Sequence, residues 1–423
     1  GSILYLTFIY LFQGGKNMYK LLFLSLILIR FLWDIALHVL SAKQVGKPLP
    51  KSVQGIYDEA EYRKWRAYNG KKDKLSIASS IIALLINVLL YCTDLISVIY
   101  YAMPGGVMIK AILFFLAVGA AETIVSLPID YIFTFKIEEE FGFNKVTPKT
   151  FISDTVKNFI LNNLLTIFIF WLVILAYNLL GNYFGLIVFA GLAVFMILMS
   201  AFSSVFSKIF NKFTSLPEGE LRDNLSKMFE DAGYKLKDIY VMDASRRTTK
   251  ANAYCGGIGK LKQIVLYDNL VNNYTPGEIT AVFAHELAHF KNKDTTKMTF
   301  FNMLNFLPML LVMTLLMIFP EVAQSYGFES ANIFFAFYVG FGSVLSIVTQ
   351  LIMIPFNAMS CRFERRADSL AYELGYGDEL ISALRKLCKD SLSDMNPHPI
   401  VVKLTYNHPP LHERIELIES KKN

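Results

Sequence analysis

Long apolar runs alternate with short polar connections along most of this chain. Crossing a hydrocarbon core as a helix takes about 20 mainly apolar residues, and seven stretches qualify: residues 19–41, 75–101, 107–134, 156–180, 183–207, 297–319 and 331–357. The connections differ in charge. Residues 42–74 carry Lys43, Lys47, Lys51, Arg63, Lys64, Arg66, Lys71, Lys72 and Lys74, and residues 135–155, 208–296 and 358–423 are also rich in Lys and Arg. Residues 102–106, 181–182 and 321–330 contain none. The positive-inside rule then puts the basic connections and the C-terminus in the cytosol, with the N-terminus on the other side. Residues 1–17 read as a cloning-derived or leader segment, with Met18 a candidate native start. The apolar run that follows lacks an A-x-A cleavage site and reads as a retained span.

Two polar segments, 208–296 and 358–423, form one cytosolic α+β domain interrupted by the spans at 297–357. Residues 218–233 have the spacing of an amphipathic helix. Asp238–Met242 and Gln263–Tyr267 read as strands joined through a turn-rich connection at 250–259, which predicts a small antiparallel sheet. An edge strand there can pair with an extended substrate backbone. Asn252 is a candidate hydrogen-bond partner for such a backbone, or a turn residue. A final helix is expected from Leu411, after the stiff Pro409-Pro410 pair.

Composition agrees with a membrane protein: 54% of the 423 residues are hydrophobic and 18% charged. The net charge of +6 is accounted for by topology, and no basic-aromatic module suggests nucleic acid. Cys92, Cys255, Cys361 and Cys388 are scattered without a C-x-x-C and read as structural. Asp34, His38, Asn87, Asp94, Glu122, Asp130, Asn162 and Asn163 fall inside spans, where polar groups face either a hydrated interior or one another.

The chemistry is concentrated at His285-Glu286-Leu287-Ala288-His289. Residues four apart share a helix face, so both imidazoles can grip one zinc ion, and Glu286 lies where it can take a proton from bound water. Thr275 is a candidate cap for a motif helix running from Glu278 to Lys297. No third histidine continues the motif, which leaves a downstream carboxylate as the third ligand. Glu364 suits that role, and Asp368, four residues on, can hold a ligand imidazole from behind. His408 is a candidate oxyanion donor. Two spans separate the motif from Glu364, and an even number is what allows them to meet on one face of the membrane. The rival readings are a membrane receptor or chaperone and a closed structural zinc site.

H-E-L-A-H, S-C-R-F-E-R-R-A-D, N-H-P-P-L-H-E-R-I and the upstream N-A-Y at 252–254 together resemble the integral-membrane zinc endopeptidases of the CAAX prenyl protease type. Residues 137–144 and 213–219 resemble further segments of that family. The resemblance implies an α-helical multi-pass fold, with about seven helices forming a barrel around a water-filled chamber. A gluzincin-like domain caps that chamber. It implies one zinc per chain on His285, His289 and Glu364, with Glu286 as base, His408 in catalysis, and Asn252, Ala253 and Arg414 against a peptide or protein substrate that is lipidated in the family. Cys361 stands where the family often has Arg. The short connection at 271–280 looks prokaryotic, which points to a bacterial inner membrane, or to the endoplasmic reticulum if the source is eukaryotic. Heat-shock-type membrane zinc proteases are the neighbouring alternative.

Overall fold

The computed structural model describes residues 15–422 apart from 202, 234–238, 257–262 and 343–345. Five stretches in it are long and apolar enough to cross a membrane: Met18–Gln44, Glu59–Cys92, Val107–Glu138, Pro148–Ser200 and Asp294–Ile318. The fourth is a pair of helices, Pro148–Leu180 and Phe184–Ala201, packed on each other across Gly181–Tyr183. Gly181 turns the chain with φ 55°, a left-handed conformation that a Cβ would strain. The expected span at 331–357 is in two pieces, Ile333–Phe341 and Ser346–Glu373, on either side of residues outside the description. The expected span at 75–101 also differs. Its helix already starts at Glu59, because Asp58 and Glu61 form a capping box, and it breaks after Cys92 before a short helix at Leu95–Ala102.

The two ends of the molecule are packed differently from its middle. At the end bearing the connections without Lys or Arg, Tyr100, Phe114, Phe115, Phe170, Phe334 and Phe337 form a dense aromatic core. Phe334 stacks on Tyr100 with centroids 4.4 Å apart and meets Phe114 edge-on at 4.7 Å. In the middle, only 6% of the most apolar window of Glu59–Cys92 is buried in the molecule. A cavity of about 510 Å3 opens there, with Arg30, Asp34, Ser76, Ser80, Asn87 and Asp130 in its wall. Its charges are partly paired, Arg30 with Asp34 at 2.9 Å and, nearby, His38 with Asp73 at 3.3 Å.

The third layer is the α+β end. A mixed four-stranded sheet comprises β1 (Phe213–Ser215), β2 (Ile239–Met242), β3 (Ala253–Gly256) and β4 (Gln263–Tyr267), in the order β1-β2-β4-β3. The two expected strands are therefore present, although Asp238 lies outside the described residues. Their expected antiparallel pairing is corrected: β2 and β4 run parallel, and β3 is the antiparallel neighbour of β4. The connection that reads as turns contains β3, which occupies the hairpin position beside β4 and leaves β2 to cross over to the other edge. β4 is covered on both faces, with Ile264, Val265 and Leu266 fully buried. This explains its unbroken apolar run where a half-exposed strand would alternate. The helix expected at 218–233 runs Glu220–Asp231 and packs Leu225 and Phe229 against Phe283 and Leu287 of the motif helix.

The basic loops join this end as core elements. Trp65, Tyr68, Ile137, Phe141 and Phe143 share one hydrophobic cluster with Ala281, Ala284, Leu380 and Ile415. Buried Glu138 accepts hydrogen bonds from the Tyr68 hydroxyl and, at 3.1 Å, from Lys250 Nζ. The segment leading into β3 is thereby tied to the membrane helices.

Candidate active site

The motif helix spans Pro276–Lys291. Thr275 Oγ1 accepts from the Glu278 N–H at 3.2 Å, and Glu278 Oε2 accepts from the Thr275 N–H at 2.8 Å, a reciprocal cap that sets where the helix begins. The expected continuation to Lys297 is corrected. Lys293 turns left-handed at φ 55°, and a second helix, Asp294–Leu304, begins there. The break has a consequence at the site, because it swings Asp294 back beside His289.

His285 and His289 present their Nε2 atoms 3.2 Å apart. Glu364, on the helix Ser346–Glu373, reaches across to both, Oε2 to His285 Nε2 at 3.2 Å and Oε1 to His289 Nε2 at 3.3 Å. The three ligand-type atoms all lie within 4.8 Å of one another, and this is the only such group among the described residues. Behind the imidazoles, Asp368 Oδ1 is 2.9 Å from His285 Nδ1, and Asp294 Oδ2 is 3.1 Å from His289 Nδ1. Each aspartate is itself held by an arginine. Arg414 bonds Asp368 at 2.6 and 2.8 Å, and Arg366 bonds Asp294.

These contacts set the protonation states. Burial pulls His289 down, but Asp294 and Glu364 outweigh it and push its pKa up to about 10; His285 is likewise raised, by Asp368 and Glu364 against burial. Burial raises Glu364, yet the two histidines hold it far below the usual carboxylate range. Asp368 falls to about 2, because Arg414 overcomes its burial. The donor set suits a divalent cation. With each Nδ1–H given to an aspartate, both Nε2 lone pairs face a carboxylate at little over 3 Å. Such a cluster repels itself unless protons or a metal ion sit within it.

His408 also reaches the site, with Nε2 3.3 Å from Glu364 Oε1, but it stands outside the 4.8 Å group. Burial lowers its pKa, so its ring is neutral at pH 7. The Arg414 guanidinium is held by Asp368 and lies 3.9 Å from Glu364. Asn252 is exposed and, through Oδ1, accepts from the Ala253 N–H at 2.8 Å, which fits its turn reading. β3, which begins at Ala253, is the outer strand of the sheet and packs beside the motif helix. Sequence reasoning missed Asp294 and Arg366. A signal was present in Asp294, an acid placed just after the second histidine where a new helix can start.

The chain matches the family model for the CAAX prenyl protease N-terminal region with five membrane helices over residues 38–212, and that of peptidase family M48 over residues 215–422. A protein of Oryza sativa subsp. japonica named CAAX prenyl protease 1 homolog is 30% identical over 416 residues, covering 94% of this chain and 96% of its own length. The chain belongs to the CAAX prenyl protease family. The Arabidopsis thaliana CAAX prenyl protease 1 homolog is 29% identical, over 88% of this chain and 91% of its own. The crystal structure of S. mikatae Ste24p superposes with a TM-score of 0.88 at 27% identity, covering 95% of this chain and 99% of that one. As a member of this CAAX prenyl protease family, the protein is a multi-pass membrane metalloendopeptidase, and family membership implies a metal in it.

Proposed function

We propose that this protein is a zinc endopeptidase that cleaves prenylated CAAX-type proteins at the membrane, with its α+β end facing the cytosol. The observation that carries the proposal is the convergence of His285, His289 and Glu364, with Glu286 on the helix that bears both histidines. His285, His289 and Glu364 hold the ion, and Asp368 and Asp294 fix the imidazole tautomers. A zinc ion held by these three residues would supply Lewis acidity toward water and the scissile carbonyl. Glu286 takes the proton of the attacking water and returns it to the leaving amine. Its charge is felt at the site, for it helps to raise both His289 and Arg414. His408 stabilises the developing oxyanion with its Nε2 protonated; Asn407 Oδ1 stands 2.8 Å from Nδ1, and exchanging the amide O and N positions lets the amide nitrogen donate there instead. The edge of β3 at Asn252 and Ala253 pairs with the extended substrate backbone. The bare helix faces around the 510 Å3 cavity, and its polar wall, support seven crossings arranged around a hydrated chamber.

Incubation of the purified protein with a farnesylated CAAX peptide, with and without chelator, tests the proposal. Release of the C-terminal tripeptide that chelator abolishes is the expected result; cleavage indifferent to chelator rejects it.

Two further outcomes follow from the site. Asp294→Asn should weaken metal binding roughly 10- to 100-fold, the usual effect of losing a partner behind a ligand. Chelator competition measures this, and wild-type affinity would remove Asp294 from the site's support. The second outcome concerns pH. Both histidines are raised in the metal-free protein, so their ion pairs with the carboxylates are fully formed below the unfolded histidine range. They are lost as pH rises through about 10 for His289. Metal must displace those protons. Affinity should therefore climb with pH across neutrality, by up to about tenfold per unit for each proton released. An affinity that is flat between mildly acidic and mildly alkaline pH would contradict this.

A further inference from the structure

Away from the catalytic centre, six cations from three chain segments converge on one cleft of about 470 Å3. Lys149 and Lys157 come from the start of the helix Pro148–Leu180, Lys208 and Lys212 from where the chain leaves the helical hairpin, and Arg246 and Arg247 from the α+β end. The carboxylates at hand are already engaged. Asp154 bonds Arg247 and lies 4.0 Å from Lys157. Asp243 bonds Arg246 at 3.0 Å and accepts from the Lys212 N–H at 2.7 Å. No carboxylate lies within 4.0 Å of the ammonium of Lys149, Lys208 or Lys212 among the described residues. Six cations against two carboxylates leave a surplus of four charges within one cleft.

Topology alone asks for positive charge on this side of the membrane, but not for its collection in one cleft. An anion seated among them offsets that surplus. Free phosphate and a lipid headgroup share the required chemistry, and a second feature separates them. Ile152, Val156, Ile160 and Leu164 repeat every four residues along the helix that carries Lys149 and Lys157, and are 49–62% exposed. Such a stripe faces hydrocarbon and suits an acyl chain. We propose that the cleft binds the phosphate headgroup of an anionic phospholipid, with an acyl chain laid along Ile152–Leu164. The lipid would clamp the hairpin to the α+β end, because the six cations belong to both.

The test measures binding of phosphatidic acid and phosphatidylcholine to the full-length, delipidated protein by native mass spectrometry. A juxtamembrane lysine contributes roughly fivefold to anionic-lipid affinity. The triple variant Lys149→Gln, Lys208→Gln, Lys212→Gln should therefore lose about a hundredfold for phosphatidic acid. A control triple at exposed Lys47, Lys64 and Lys227, with the same change in net charge, should stay near wild type. Peptidase activity reports that each variant is folded. If the first triple fails to fold, Lys149→Gln alone carries the test at about fivefold. Equal binding of phosphatidylcholine, an unchanged affinity in the cleft variants, or an equal loss in the control triple overturns the proposal. Complete displacement of phosphatidic acid by millimolar inorganic phosphate overturns it too, and assigns the cleft to a free anion.

Discussion

Glu286→Gln is expected to cut peptide turnover by about 10^3- to 10^4-fold while leaving bound zinc at the wild-type level. The two halves of that result have separate causes. Glu286 lies next to His285 on the motif helix but outside the group of ligand-type atoms. The isosteric amide keeps the helix, both histidines and Glu364 in place, and removes only the basic lone pair. General-base assistance is typically worth 10^2- to 10^4-fold, and here the same carboxylate also delivers the proton to the leaving amine. The upper part of that range, about 4–5 kcal/mol of barrier, is therefore expected. Metal analysis and turnover on one preparation decide the matter. A purified variant with full zinc and near-normal turnover would falsify the assignment of Glu286 as base.

Glu364→Ala should empty the metal site and abolish activity with it. Among the described residues its carboxylate is the only one within 3.3 Å of both Nε2 atoms, and it is buried. Without it the site keeps two neutral donors and loses the negative charge that offsets a divalent cation. The loss should exceed the roughly hundredfold expected where only a supporting aspartate is removed. The fold should survive, because Asp368 remains paired with both His285 and Arg414. Mass spectrometry of the intact variant gives the metal content directly, and undiminished zinc would exclude Glu364 as a ligand. In Glu286→Gln the metal stays and turnover goes, whereas in Glu364→Ala both go, so the pair separates holding the ion from using it.

Much of the site was legible because its spacing is local. Two histidines four apart must share a face on any helix, and Glu364 and Asp368 repeat the same spacing on another. What joins the two helices is not local, but the even number of apolar spans between them already required a common side. The partner of Arg414 was not legible, for the opposite reason. A charged side chain near a site looks free to bind substrate until its partner is known, and Asp368 is 46 positions away in sequence. Asp294 escaped because the polar run 291–297 reads as the exposed end of one helix, and the left-handed turn at Lys293 has no glycine to mark it.

The sequence by itself determined the membrane-embedded helical architecture, the ligand faces and the capped start of the motif helix. Each depends on interactions within a few turns, or on the length of an apolar run. Tertiary structure alone decided that β2 and β4 run parallel, that the basic loops at residues 59–69 and 137–143 complete the catalytic core, and that three chain segments share one cationic cleft. Those features depend on which surfaces meet after long crossovers. The composition of an amphipathic segment says that it must bury one face, but not what it will bury it against.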